Sequence, residues 1–436
     1  MKGNEDAWLE EAGIAAHDTD GGESYLYVPG QLLVTSEHAA AVRADLERRG
    51  LTGDGRAAGT SKARLAFDPP TMRRLGRLLG RERFADLLVR QRAVAEEEVD
   101  LPRPGQDPSA DEDLAELGIE RIRLSAEAHV PKLVATYRAE GWDVSPNHVL
   151  HWEPFWRGGP GDVPQPAKEL APPSKDEGGP TVAILDTGIQ SGWQQDDWFA
   201  HRVDGAGATD EEVLDVDGDD VLDVQAGHGT FIASLVAAGC PSARLVPRRV
   251  LNSFGLTSDA DLARAIRRIA KAEPDVLVLS LGCYAADDRP PAAVTRALAH
   301  LPARTVVVAA AGNASQSRVF WPAALKTVVA VGAHDGGSPC GPAAFSNHGW
   351  WVDACADGLE VHAKFVHFDG GVQGVMEPGD FAGWATWSGT SFSTPIVAGA
   401  LAQHMVDHGG SAEDAVRALV RAPGLPTLRD LGVRVD

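Results

Sequence analysis

Three segments of the sequence hold an acid, an imidazole and a hydroxyl in positions from which a chain can bring them together. AILDTG, residues 183–188, carries Asp186; GHGT, residues 227–230, carries His228; and SGTSFSTP, residues 388–395, carries Ser391. A serine hydroxyl is a poor nucleophile until an imidazole takes its proton. The imidazole in turn needs a buried carboxylate to fix its tautomer and stabilise its cation. A fourth segment, AAAGN at residues 309–313, ends an apolar run in a glycine turn and the side-chain amide of Asn313, a donor suited to a developing oxyanion. A serine at a helix start adds its own backbone N–H to that task. Taken singly, Asp186 reads equally as a turn acid, His228 as a satisfied core histidine and Asn313 as a turn residue tolerant of positive φ. Together, each at the end of an apolar run or the opening of a helix, they read as one catalytic constellation.

The elements that must position these residues follow from the apolar pattern. Short buried runs at 181–185, 245–251, 276–281, 305–310 and 327–331 predict strands, and helical spacing at 231–238, 259–271, 292–301 and 394–408 predicts helices between or after them. Strands alternating with helices predict an α/β fold, a doubly wound and mainly parallel sheet covered on both faces. Ligand and catalytic groups in such folds sit at the carboxyl ends of the strands, where Asp186 and Asn313 fall.

Upstream, the stretch 157–180 is crowded with Pro and Gly and predicts a semi-extended connector. We therefore divide the chain into a tail (1–24), an α+β domain (25–152), a linker (153–180) and the α/β domain (181–436). The α+β domain reads as a small ferredoxin-like β-α-β-β-α-β unit, with strands at 25–34, 63–67, 118–124 and 147–152 and helices at 38–49 and 130–140. Residues 71–98 have helical spacing and predict a helical insertion within it.

From residue 180 onward the order DTG, GHGT, AAAGN, SGTSFSTP resembles the subtilisin-like serine proteases, or subtilases. The resemblance implies a serine endopeptidase acting through an acyl-enzyme. Asp186 would orient, His228 would act as base and then acid, Ser391 would attack, and Asn313 would complete the oxyanion hole. It also implies that substrate backbone adds as a strand along Ser280, Leu281 and Gly282, with Ala310, Ala311 and Gly312 lining the same cleft. Where the family has its next glycine, this chain has Cys283, which places a thiol near the specificity pocket. The related sedolisin-like proteases use a glutamate as base, and the intact GHGT separates this chain from them. The N-terminal unit resembles subtilase prodomains, which implies an intramolecular prodomain, a zymogen and an autoprocessing site between 153 and 179. The competing readings are a non-catalytic peptide-binding scaffold of the same fold and a permanently attached accessory domain.

The charge balance, 40 Lys+Arg against 62 Asp+Glu for a net −22, disfavours phosphate backbones and anionic membranes as partners; the expected partner is a polypeptide substrate. No organic cofactor is implied. Nine of the acids fall in residues 204–223, and Asp215, Asp217, Asp219 and Asp223 alternate around Gly218 as oxygen ligands for Ca²⁺ would; the other reading is a solvated acidic loop. Subtilases commonly use calcium for stability, which by resemblance favours the metal. The four cysteines contain no C-x-x-C pair and read as buried thiols, with Cys340 to Cys355 the one pairing considered. Trp350, Trp351, Trp384 and Trp387 read as packing. The acidic N-terminus lacks a basic start and apolar run, so a cytoplasmic location, or release without a Sec signal, is expected.

Overall fold

The computed structural model describes residues 14–18, 24–53, 105, 110–151, 163–216, 218, 220–337, 340–372 and 380–435. The N-terminal unit holds β1 (Ala15–Asp18), β2 (Ser24–Thr35), α1 (Ser36–Arg48), α2 (Ala110–Glu116), β3 (Ile119–Arg123), α3 (Val130–Ala139) and β4 (Val144–His151). The long strand β2 pairs antiparallel with β1, β3 and β4. Ala39, Val42 and Leu46 of α1, at helical spacing, and Leu133, Val134 and Tyr137 of α3 bury against Leu32, Val34 and Ile122 of the sheet. The strand expected at 63–67, the helices expected at 71–98, most of the tail and residues 153–162 of the linker lie outside the described residues.

The rest of the linker is not a free connector. Its β5 (Gln165–Pro166) pairs with a strand of the α/β domain, and the buried Arg202 donates to the carbonyls of Pro173 and Ser174. An extended Pro-rich chain leaves its carbonyls without internal partners, and a buried guanidinium with five donors collects them.

Beyond it run β6 (Thr181–Asp186), α4 (His228–Gly239), β7 (Arg244–Arg249), β8 (Leu256–Ser258), α5 (Asp259–Ile269), β9 (Val276–Leu279), α6 (Ala292–Ala299), β10 (Val306–Ala310) and β11 (Val328–His334). They are followed by β12 (Ala354–Asp357), β13 (Val361–Phe368), β14 (Phe381–Trp387), α7 (Thr390–His408), α8 (Ala412–Leu419), β15 (Thr427–Leu428) and β16 (Gly432–Arg434). The main sheet has the order β15-β16-β12-β11-β10-β9-β6-β7 and is parallel throughout except for β15 against β16. Alternate residues serve opposite faces: Val182 and Ile184 join the core beneath α4 and α7, while Ala183 and Leu185 join the core beneath α5 and α6. The α/β expectation holds. Helices α4 and α7 begin at His228 and Thr390, earlier than apolar spacing at 231 and 394 indicated, because Gly, Thr and Ser carry no hydrophobic period.

The two units share a sheet. β8 of the α/β domain adds antiparallel to β4, with Val149 opposite Ser258 and His151 opposite Leu256. Asn147 Oδ1 accepts the N–H of Ala260 in the first turn of α5 (3.1 Å), and Arg267 pairs with Asp113 (3.2 Å). No disulfide joins Cys340 to Cys355; Cys355 is buried on β12, and Cys340 is half-buried. Cys283 is also buried, within the core beside Phe320, so its thiol is packed away rather than presented as a pocket wall.

Asp259 opens α5 fully buried, and its carboxylate accepts the N–H groups of Val294 (2.8 Å) and Ala293 (3.4 Å) at the start of α6. Burial pushes its pKa from 3.8 up to about 7. The folded state therefore keeps a proton that the unfolded chain releases. Stability from this group is present below its ordinary pKa and is lost as pH rises toward about 7. The difference in Tm between wild type and Asp259→Asn, followed by calorimetry, should fall from pH 4 to 7, and a constant difference would refute it.

Candidate active site

Asp186 is the last residue of β6, at the carboxyl end of the sheet, and His228 is the first residue of α4. Both are buried, and His228 Nδ1 lies 2.7 Å from Asp186 Oδ1. The same oxygen accepts the N–H of Thr187 at 2.8 Å, while Asp186 Oδ2 has no hydrogen-bond partner. The imidazole is walled by Trp387, edge-on at 5.4 Å, and Phe392, tilted at 5.4 Å. Aromatic faces fix the ring and exclude water from it.

Ser391 occupies the second position of α7, where a helix offers no carbonyl to the backbone N–H. Its Oγ donates to Ser280 O at 3.3 Å, and Ser280 Oγ donates to Ser391 O at 2.8 Å. The second bond has a covalent origin. Pro395, four residues on in the same helix, has no N–H to give the Ser391 carbonyl, and the Ser280 hydroxyl takes that place. Ser280→Ala is expected to lower stability by about 1–3 kcal/mol, the cost of a buried carbonyl left without a donor. A chemical-denaturation midpoint unchanged from wild type would contradict this.

Asn313 Oδ1 accepts both the N–H (2.9 Å) and the hydroxyl (2.9 Å) of Thr390, the residue before Ser391. Its Nδ2 lies beside Gly389, 3.7 Å from where a Cβ would stand. Thr390 Oγ1 also accepts the N–H of Gly312 (3.1 Å), so the glycine turn and the serine helix are stitched together.

The six residues assigned to substrate contact separate into two groups. Gly282 exchanges two backbone hydrogen bonds with His151 at 2.8 and 3.1 Å, so the N-terminal unit itself lies along this strand. A Cβ on Gly282 would stand 2.3 Å from the Phe320 ring, which explains the glycine. Leu281 turns its side chain into the core. Ala310 ends β10, Ala311 gives its N–H to Val331 and its carbonyl to Asn347, and Gly312 gives its N–H to Thr390, so these amides are used inside the fold. Sequence reasoning missed Asn347, which is fully buried and accepts the N–H groups of Ala314 and Gln316 to shape the turn around Asn313. An Asn within FSNH has no motif to mark it.

In the acidic loop, Asp217 and Asp219 lie outside the described residues. Asp215 accepts the N–H groups of Gly218 (2.7 Å) and Asp220 (2.9 Å), and Asp223 accepts that of Val216 (3.0 Å). Among the described residues no three His, Cys, Asp or Glu side chains gather to hold a metal ion. No helix among them is long and apolar enough to cross a membrane.

Comparisons with known proteins converge on this half of the chain. It is 32% identical over 236 residues to the thermophilic serine proteinase of Bacillus sp. (strain AK1), covering 52% of each chain. It is 32% identical over 234 residues to subtilisin BL of Lederbergia lenta, covering 51% of this chain and 75% of that one. It is 30% identical over 268 residues to thermitase of Thermoactinomyces vulgaris, covering 58% and 85%. The match spans about half the length of the first of these relatives, 52%. The model of the subtilase family matches residues 177–422, and with the α/β sheet and the order of its motifs this chain belongs to that family.

Proposed function

We propose that the chain is a serine endopeptidase that hydrolyses polypeptides through an acyl-enzyme. In this reading Ser391 attacks, His228 takes its proton and returns it to the leaving amine, and Asp186 orients the imidazole. Asn313 and the Ser391 N–H stabilise the oxyanion. The observation that carries the reading is the buried 2.7 Å contact between His228 Nδ1 and Asp186 Oδ1. For attack, the Ser391 hydroxyl leaves its bond to Ser280 O and turns to the imidazole.

The N-terminal unit acts, in the same reading, as an intramolecular prodomain. Its support is the path of β4, which pairs with β8 and places His151 on Gly282, where a substrate strand would add. The chain then enters the linker expected to hold the processing site.

Mass spectrometry of the purified wild type and Ser391→Ala, each with a fluorophosphonate probe, tests both statements. The wild type should take the label and be cut between 153 and 180, and the variant should stay unlabelled and full length. A folded wild type that takes no label would replace the endopeptidase by a peptide-binding scaffold. A wild type that digests casein while remaining full length would leave the N-terminal unit as a permanent accessory domain. The Ca²⁺ expectation on the 215–223 loop has its own test: excess EGTA should lower Tm by several degrees, and an unmoved Tm removes the metal.

A further inference from the structure

The helix that carries His228 starts without a cap of its own. Its N-cap residue, Gly227, has φ +85°, and a Cβ there would stand 2.3 Å from the Phe365 ring, so the usual Ser, Thr, Asp or Asn does not fit. The first-turn N–H groups still need acceptors. They find them across the site: Gly229 N donates to Thr187 Oγ1 (2.8 Å), Thr230 N to Glu212 Oε1 (3.1 Å) and Gly227 N to Glu212 Oε2 (3.1 Å). The hydroxyls of Thr187 (3.1 Å) and Thr230 (3.2 Å) donate to Glu212 Oε1 as well, and Thr230 Oγ1 accepts the N–H of Gln190 (2.8 Å).

One carboxylate from the acidic loop therefore binds the segment after Asp186 to the residues on either side of His228. Its carboxyl sits at a helix N-terminus, where the dipole favours an anion, while burial pushes its pKa up. Nothing in the run of nine acids distinguishes Glu212 by sequence; only the uncapped glycine hints that a cap comes from elsewhere.

We propose that Glu212 is a positioning residue for the Asp186–His228 pair, capping the His228 helix from a remote loop and fixing the contact on which base catalysis depends. The proposal rests on the endopeptidase reading for its kinetic test. Full-chain wild type, Glu212→Ala, Glu212→Gln and Thr187→Val are compared, with the processed state of each matched by mass spectrometry. The readouts are kcat and KM on a chromogenic peptide, fluorophosphonate labelling rate, Tm, and the low-field proton resonance of the His228 Nδ1–Asp186 hydrogen bond.

Well below its Tm, Glu212→Ala should lose about 10- to 100-fold in kcat and labelling rate with KM within about twofold, because misplacing a catalytic group costs chemistry more than binding. Glu212→Gln should recover part of the loss, since its amide oxygen still accepts some of these donors. The low-field resonance should broaden in Glu212→Ala. A lowered Tm with wild-type kcat and an unchanged resonance would make Glu212 a structural cap only and overturn the proposal. If Glu212→Ala does not fold, Thr187→Val should show the same split at about 3- to 10-fold, and wild-type kcat in that variant would overturn it. A wild type that neither labels nor hydrolyses sinks the endopeptidase reading instead; the resonance, which needs no turnover, still decides for or against Glu212.

Discussion

Asp186→Asn is expected to lower kcat by about 10⁴-fold with little change in KM or Tm. The structure makes the reason specific. Asp186 Oδ1 receives two donors, Thr187 N at 2.8 Å and His228 Nδ1 at 2.7 Å. If the asparagine oxygen keeps that position, its NH₂ falls at Oδ2, which is buried and makes no hydrogen bond, and no negative charge remains to stabilise the imidazolium. If the amide turns over, its NH₂ faces Nδ1 and the imidazole must hold its proton on the other nitrogen, where it can no longer receive one from Ser391. The first arrangement weakens base catalysis and the second removes it, while both preserve shape and volume. Steady-state kinetics on a chromogenic peptide, with folding verified by calorimetry, checks this; kcat within tenfold of wild type would show that the pair is structural.

Asn313→Asp should lower kcat by about 10²- to 10³-fold, the usual cost of one oxyanion donor. The choice of aspartate matters. Asn313 Oδ1 holds both the N–H and the hydroxyl of Thr390, so Asn313→Ala would remove a donor to the oxyanion and also an anchor of the serine helix. Aspartate keeps the anchoring oxygen and replaces the NH₂ by an acceptor, which separates the two effects. Tm near wild type with the full loss of kcat is the expected pattern. A kcat within threefold of wild type would remove Asn313 from the oxyanion hole.

The inner strands β6, β9, β10 and β11 were legible because each is an apolar run buried on both faces, as in VLVL of β9, whereas the short β12, β15 and β16 were not legible. The hairpin β13–β14 was not, because VHAKFVHF mixes charge with apolar residues; Lys364 is buried there only by pairing with Asp196 at 3.0 Å and lying over Trp384. Trp351, Trp384 and Trp387 pack as their size suggests, whereas Trp350 is 81% exposed, which its type did not indicate. In the site, the chemistry-bearing residues announce themselves by type and by the strand ends they follow. Their supports Glu212 and Asn347 do not, since a hydrogen bond between residues far apart in sequence leaves no local pattern.

The topology of the main sheet governs when the chemistry comes into existence. Asp186 sits on β6, between β9 and β7, while His228 and Ser391 open two helices laid on one face of that sheet, with most of the α/β domain between the first and the last. Parallel pairing closes long loops and forms late. In the endopeptidase reading, a growing or partly unfolded chain thus holds the acid, the base and the serine far apart, and it has accessible peptide bonds at the very stage when it cannot cut them. Assembly of the sheet is therefore a form of restraint, because it withholds the active site until the chain that carries it has become a poor target.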